Sequence, residues 1–143
     1  MDYADTGFLI SLYLPETTTP AAVAEISRAN QPLALTPLLR LELRNALNFA
    51  VARRRLTLVR RDEVWKRIEA QLRQGFFVDV VPPTSQTYAK ALELSDGYTV
   101  SLATRSLDLV HVATALVISA RIFYSFDERQ RQAASAEGLG VKP

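Results

Sequence analysis

Short apolar runs separated by helical patterns constrain this chain more than any other feature. Residues 3–5 (YAD), 33–36 (LALT), 76–81 (FFVDVV) and 122–125 (IFYS) have strand length and strand composition. The segments between them show helical periodicity with readable ends. In residues 17–29 (TTTPAAVAEISRA), Thr19 is placed as an N-cap and Pro20 as the first helical residue. Residues 37–55 (PLLRLELRNALNFAVARRR) follow Thr36 and read as one long amphipathic helix. Residues 61–75 stop on Gly75 and residues 85–97 on Gly97, both suited to a helix end. Residues 106–119 (SLDLVHVATALVIS) and 127–138 (DERQRQAASAEG) complete the set. Strands alternating with helices predict an α/β fold whose sheet is mainly parallel.

A chain of 143 residues is expected to form one domain with a substantial core. The absence of cysteine excludes disulfides and thiolate–zinc sites, which suits a reducing cytoplasm. The run FLISLYL is too short for a membrane span, and no basic segment precedes it as in a signal peptide. The expectation is a cytoplasmic protein with no membrane partner.

In open parallel sheets, ligands gather beyond the carboxyl ends of the strands. Asp5 ends the first predicted strand, and Asp127 closely follows the strand IFYS. Two further acids stand in apolar company. Glu42 shares a helical face with Leu38, Leu39, Ala46 and Phe49, while Arg40 and Arg44 project from other faces. A carboxylate in such a stripe is costly without a partner. Asp108 shares its face with His111, Val112 and Ala115. Each acid has an ordinary structural explanation taken singly. Asp5 with Thr6 can cap the helix that follows, Asp108 can complement a helix dipole, and Ser125 with Glu128 fits a capping box around Asp127. Glu42 is the exception, because no compensating cation shares its face.

Clustered carboxylates repel and persist near neutral pH only with a cation or with shifted protonation. An oxygen-only ligand set favours Mg²⁺ or Mn²⁺ over zinc, and such an ion keeps positions open for phosphate oxygens. His111, the one histidine, reads as a packed, hydrogen-bonded core residue. No nucleophile elbow, Walker loop or dinucleotide fingerprint is present.

The net charge is only +2, but it is unevenly spread. Between Arg53 and Arg73 stand eight basic residues and three acids, Asp62, Glu63 and Glu69. Arginine predominates, and its planar fork suits phosphate. Either a solvated helix face or a phosphate-bearing partner fits that run.

The motifs DTG at residues 5–7, TPLLRLELRNAL around Glu42, DLVHVATAL from Asp108 and FYSFDERQRQAA around Asp127 occur in the order of the PIN domain. The chain resembles that family over residues 2–141, and more narrowly its VapC-type toxins. The resemblance implies an α/β/α sandwich with a short parallel sheet and a metal-dependent endoribonuclease. It places Asp5, Glu42, Asp108 and Asp127 on the family's acidic quartet and Thr6 and Ser125 on its supporting hydroxyls. Asp5, Asp108 and Asp127 then become the ligands of Mg²⁺, for which Mn²⁺ can substitute, and Glu42 positions or helps deprotonate the attacking water. The resemblance also implies a homodimer and a cognate antitoxin that blocks the site.

Gly7 and Leu109 depart from the family pattern, where a serine and a smaller residue are common; neither change removes a ligand. A dehalogenase-type phosphatase needs a second Asp where Gly7 stands, and a response-regulator receiver needs paired acids and a lysine that DTG and SFDE do not supply. The remaining alternative is a catalytically silent PIN-like module that binds RNA or protein. Arg53, Arg54 and Arg55 are the candidates for flanking RNA phosphates, since the helix carrying Glu42 runs toward them.

Overall fold

The computed structural model describes all 143 residues. Five short strands, β1 (Tyr3–Ala4), β2 (Leu33–Leu35), β3 (Phe77–Asp79), β4 (Ile122–Tyr124) and β5 (Gly140–Lys142), are all parallel to their neighbours. They form a three-stranded sheet in the order β1-β4-β5 and a two-stranded sheet of β2 and β3. A single bridge between Asp2 and Leu33 joins the two. The Asp2 N–H donates to the Pro32 carbonyl, and the Ala34 N–H donates to the Asp2 carbonyl, each at 2.9 Å. β1 and β2 are buried throughout, which is why they read as unbroken apolar runs rather than alternating ones.

Helices make every crossover: α1 (Thr6–Ile10), α2 (Thr19–Arg28), α3 (Pro37–Ala52), α4 (Leu58–Arg73), α5 (Thr84–Leu94), α6 (Val100–Leu102), α7 (Ser106–Val117) and α8 (Glu128–Ala136). The result is an α/β/α sandwich in which α3 packs against α1 and α4, and α7 against α5 and α8. No helix is long and apolar enough to cross a membrane. Tyr3 stacks on Phe123 across the central strand pair at 5.9 Å, and Phe8 of α1 meets Tyr124 at 5.1 Å. The buried stripe of α3 is Leu39, Leu43, Leu47 and Ala50. Glu42 therefore lies at the edge of that stripe rather than within it, and Phe49 is 55% exposed.

Several boundaries differ from the sequence expectation. Among them, α4 starts at Leu58 under a Thr57 cap rather than at Arg61, and β3 keeps only the middle of residues 76–81. The helix predicted through Arg55 ends at Ala52, because Arg54 takes a left-handed φ of +56°. The Arg54 N–H then reaches the Val51 carbonyl and the Arg55 N–H the Ala50 carbonyl, each at 2.9 Å, which is a Schellman closure. Gly75 makes the same closure after α4 at φ +82°, where glycine carries no steric penalty. The turn after α3 uses an arginine instead. Arg54→Gly is therefore expected to raise stability by about 1 kcal/mol in urea denaturation, the cost of a side chain in the left-handed region.

Gly97 does not end α5. The chain widens into one π-helical turn over Ser95–Thr99 and runs on through α6 to stop at Ala103, φ +53°. Tyr98 anchors that turn by donating to Glu137 at 2.9 Å, so tertiary contacts override the glycine signal. At α2, Thr18 rather than Thr19 flanks the helix. The Thr19 hydroxyl instead donates to the Leu14 carbonyl and accepts from the Glu16 N–H. β5 has no counterpart among the predicted strands.

Candidate active site

The carboxyl ends of β1 and β4 lie side by side, with Ala4 paired to Tyr124, so the residues just beyond them meet. Asp5 follows β1 and caps α1 by accepting the Phe8 N–H at 2.6 Å through Oδ1. Its Oδ2 accepts the Ser125 hydroxyl at 2.5 Å. The same Ser125 oxygen accepts the Asp127 N–H at 3.0 Å. Ser125 is thus not the cap of α8. Asp127 is, accepting from the Arg129 and Gln130 N–H groups at 2.9 and 3.2 Å. Ser125 instead ties the first acid to the loop carrying the fourth.

Asp5 is 4% exposed, and burial pushes its carboxyl above the ordinary range. The hydrogen bonds from Ser125 and Phe8 oppose that shift without overcoming it. Nearby Asp127 adds to it by repulsion.

Glu42 stands two turns into α3 and half-buried. Its Oε2 accepts the Thr6 hydroxyl at 2.5 Å and lies 2.8 Å from His111 Nε2. His111 Nδ1 lies 2.8 Å from the Tyr3 hydroxyl. Burial alone would raise Glu42, but the His111 contact and the Thr6 hydroxyl outweigh it and hold the carboxyl below its usual value. The partner that Glu42 lacks on its own helix is supplied by α7. Arg40 and Arg44, as the face argument requires, pair elsewhere, with Asp79 at 3.1 Å and Asp62 at 3.4 Å.

Asp108 occupies the third position of α7 and is 5% exposed. Its Oδ2 accepts from the Arg105 backbone N–H at 3.1 Å and from Arg105 Nε at 3.0 Å. Its Oδ1 accepts from Arg105 Nη2 at 3.3 Å and from Gln130 Nε2 at 3.2 Å.

Asp5, Glu42, Asp108 and Asp127 all line one open cavity of about 470 Å³, together with Thr6, Arg105, His111 and Gln130. Three of these residues carried no functional expectation. His111 is the buried, hydrogen-bonded residue foreseen, yet it also reaches the cavity wall, and its three-residue spacing from Asp108 was the available signal. Arg105 and Gln130 gave none beyond being polar residues near an acid. Of the arginines after α3, Arg53 and Arg55 line a second groove of about 360 Å³ that shares Thr6 and Glu42 with the acidic cavity. Arg54 lines a different one, beside Arg60 and Tyr13.

The donor set suits a hard divalent cation: every unprotonated acid presents oxygen, and no sulfur is available. No three acidic or imidazole groups are arranged to clasp an ion as they stand. Mg²⁺ does not require that, since it commonly meets protein through one or two carboxylates and retains water. Gln130 Oε1, buried at the cavity wall without a partner, is a ready acceptor for such a water.

The family model of the PIN domain matches residues 3–136. Among solved structures, FitAcB from Neisseria gonorrhoeae is similar with a TM-score of 0.69 at 16% identity, covering 100% of this chain and 97% of that one. VapC20 from Mycobacterium tuberculosis, described as a sarcin-ricin loop cleaving toxin, is similar with a TM-score of 0.70 at 16% identity, covering 100% of both chains. At that identity the likeness is one of fold. No curated protein matches the chain.

Proposed function

The chain belongs to the PIN domain family, and from that premise we propose that it is a metal-dependent endoribonuclease, the toxin of a toxin–antitoxin pair. The observation that carries this reading is the meeting of Asp5, Glu42, Asp108 and Asp127 in one open cavity beyond the strand ends. An RNA-cleaving toxin among the structures of like fold supports the substrate class. The toxin resemblance carries with it a protein antitoxin and a homodimer.

Asp5, Asp108 and Asp127 would hold the Mg²⁺ or Mn²⁺ ion, which when bound would polarise the scissile phosphate and make water at the site more acidic. Glu42 acts beside it. Both protein hydrogen bonds to Glu42 fall on Oε2, which leaves Oε1 to accept a hydrogen bond from the attacking water. A carboxylate held below its usual pKa is a weak base at neutral pH. Glu42 therefore orients the water more than it deprotonates it. Thr6 and Ser125 fix Glu42 and Asp5 in place.

The test is to incubate the purified chain, free of antitoxin, with transfer and ribosomal RNAs in Mg²⁺ or Mn²⁺ and, separately, in chelator. Cleavage that needs the ion supports the reading. Cleavage in chelator, or intact RNA under every condition, overturns it.

The groove shared by Glu42, Arg53 and Arg55 gives the substrate strand a path. Arg53 has no acidic partner and lies over the Phe49 ring at 4.8 Å, whereas Arg55 faces Glu16 at 3.6 Å. Within the run Arg60 pairs with Glu63 and Arg61 with Asp62, and Glu16 from outside it adds an acid opposite Arg55. Arg53→Ala is expected to weaken RNA binding several-fold and to lower the salt slope by about one. Arg54→Ala should do less, and cleavage at saturating RNA should change little. Unchanged RNA affinity with a lost dimer or antitoxin complex would assign Arg53 to a protein interface instead.

A further inference from the structure

Arg105 is the one arginine or lysine among the residues lining the acidic cavity. Its guanidinium meets both oxygens of Asp108, at 3.0 and 3.3 Å, and its Nη2 lies 3.9 Å from Asp127 Oδ2. An ionised carboxylate offers about four acceptor directions, two on each oxygen. At Asp108 all four are filled: Oδ2 takes the Arg105 N–H and Nε, and Oδ1 takes Arg105 Nη2 and Gln130 Nε2. A cation can reach Asp108 only by displacing one of these donors.

The donors differ in how easily they leave. The Arg105 N–H is fixed by the backbone of the residue that caps α7, and the Gln130 side chain is buried in α8. The Arg105 side chain is 73% exposed at the cavity mouth, against 7% for Asp108, so it is the one donor that can swing into water without disturbing the helices. Its departure frees one acceptor direction on each oxygen while the backbone and Gln130 bonds keep the carboxylate aimed.

We propose that Arg105 is an exchangeable counter-ion. It neutralises Asp108 and Asp127 while no divalent ion is bound. It yields their oxygens when the ion enters, and then turns its planar fork to a phosphate of the RNA strand at the same mouth. This rests on the metal-dependent reading above. It accounts for acids that share a cavity yet are not arranged around an ion: the guanidinium fills acceptor directions on Asp108 that an ion would need.

The experiment measures Mn²⁺ binding by calorimetry on the whole chain, for the wild type, Arg105→Ala and Arg105→Gln. A 2′-O-methylated RNA that cannot be cleaved is then titrated in saturating Mn²⁺. Both variants are expected to bind Mn²⁺ at least about twofold more tightly, since the ion no longer has to displace a guanidinium, and to bind the RNA more weakly. Mn²⁺ affinity equal to or below wild type in both variants overturns the counter-ion role. Tighter Mn²⁺ with unchanged RNA affinity overturns the second half, the turn to phosphate. Failure of the wild type to bind Mn²⁺ at all overturns the metal-dependent reading itself, an outcome distinct from either.

Discussion

Asp108→Asn and Asp5→Asn are each expected to reduce metal-dependent RNA cleavage by about 10³-fold or more, a barrier increase of about 4 kcal/mol. Each change removes the charge that would hold the ion while keeping side-chain shape. The two should part company in stability. Asp5 is buried and its carboxyl is pushed above its unfolded value, so the folded chain holds its proton to higher pH than the unfolded chain does. Stability then falls as pH rises through the window between the unfolded value near 3.8 and the raised folded value, and the penalty is full above it. Asp5→Asn removes that penalty. In chelator at pH 7 it should denature at higher urea than the wild type, and the gap should close as pH falls toward 4. Asp108 has Arg105 and Gln130 as donors, and its amide variant should gain nothing comparable. Wild-type cleavage by either variant in added Mg²⁺ would remove that residue from the ion's ligands. An Asp5→Asn chain no more stable than wild type in chelator would remove the buried-charge argument.

What was legible in the sequence follows from how local each signal is. Asp5 and Asp127 could be placed because each follows a strand run, and strand ends meet in a parallel sheet. Glu42 could be flagged because α3 offers it no cation, but its partner was invisible: His111 lies 69 positions later, and only the fold, which turns both side chains into one cavity, joins them. The short strands β1 and β2 were readable as buried apolar runs. β5 was not, since Gly140–Lys142 has neither alternation nor β-branched weight beyond Val141, and pairing with β4 alone makes it a strand. The end of α3 failed for a different reason. Nothing in a run of three arginines marks the middle one for the left-handed region, and the closure at Arg54 is seen only in its hydrogen bonds. Likewise Ser125 carried a capping pattern with Glu128, and the contest between that cap and Asp5 was decided by the neighbouring strand. Arg105 and Gln130 escaped notice because sequence shows neither the saturation of Asp108 nor the depth of Gln130.

The contact between α7 and α3 carries the second large effect. Tyr3 is fully buried, and burial pushes its phenol far above the usual range, so it keeps its proton. Assigned from that network, the Tyr3 hydroxyl donates to His111 Nδ1, and the Nε2 proton goes to Glu42 Oε2. His111→Phe preserves bulk but leaves the Tyr3 hydroxyl without its ring acceptor and Glu42 without its main stabilising contact. Two results are expected. Stability should fall by about 2–3 kcal/mol, the cost of a buried polar group left unpaired. Cleavage should fall about 10- to 100-fold, as for other groups that orient a site through a neighbour. A merely structural role predicts the first loss without a change in how activity depends on pH. The positioning role predicts such a change, because the His111 contact now holds the Glu42 carboxyl below its usual value against burial. Without it burial prevails and the carboxyl moves up. Glu42 then takes its proton at a higher pH, and the acid limb of the pH–rate profile moves toward neutrality. His111→Gln, whose amide can still donate toward Glu42, should restore part of the rate and shift the limb back. An acid limb in the same place for wild type and His111→Phe would show that His111 supports the core and not the carboxylate.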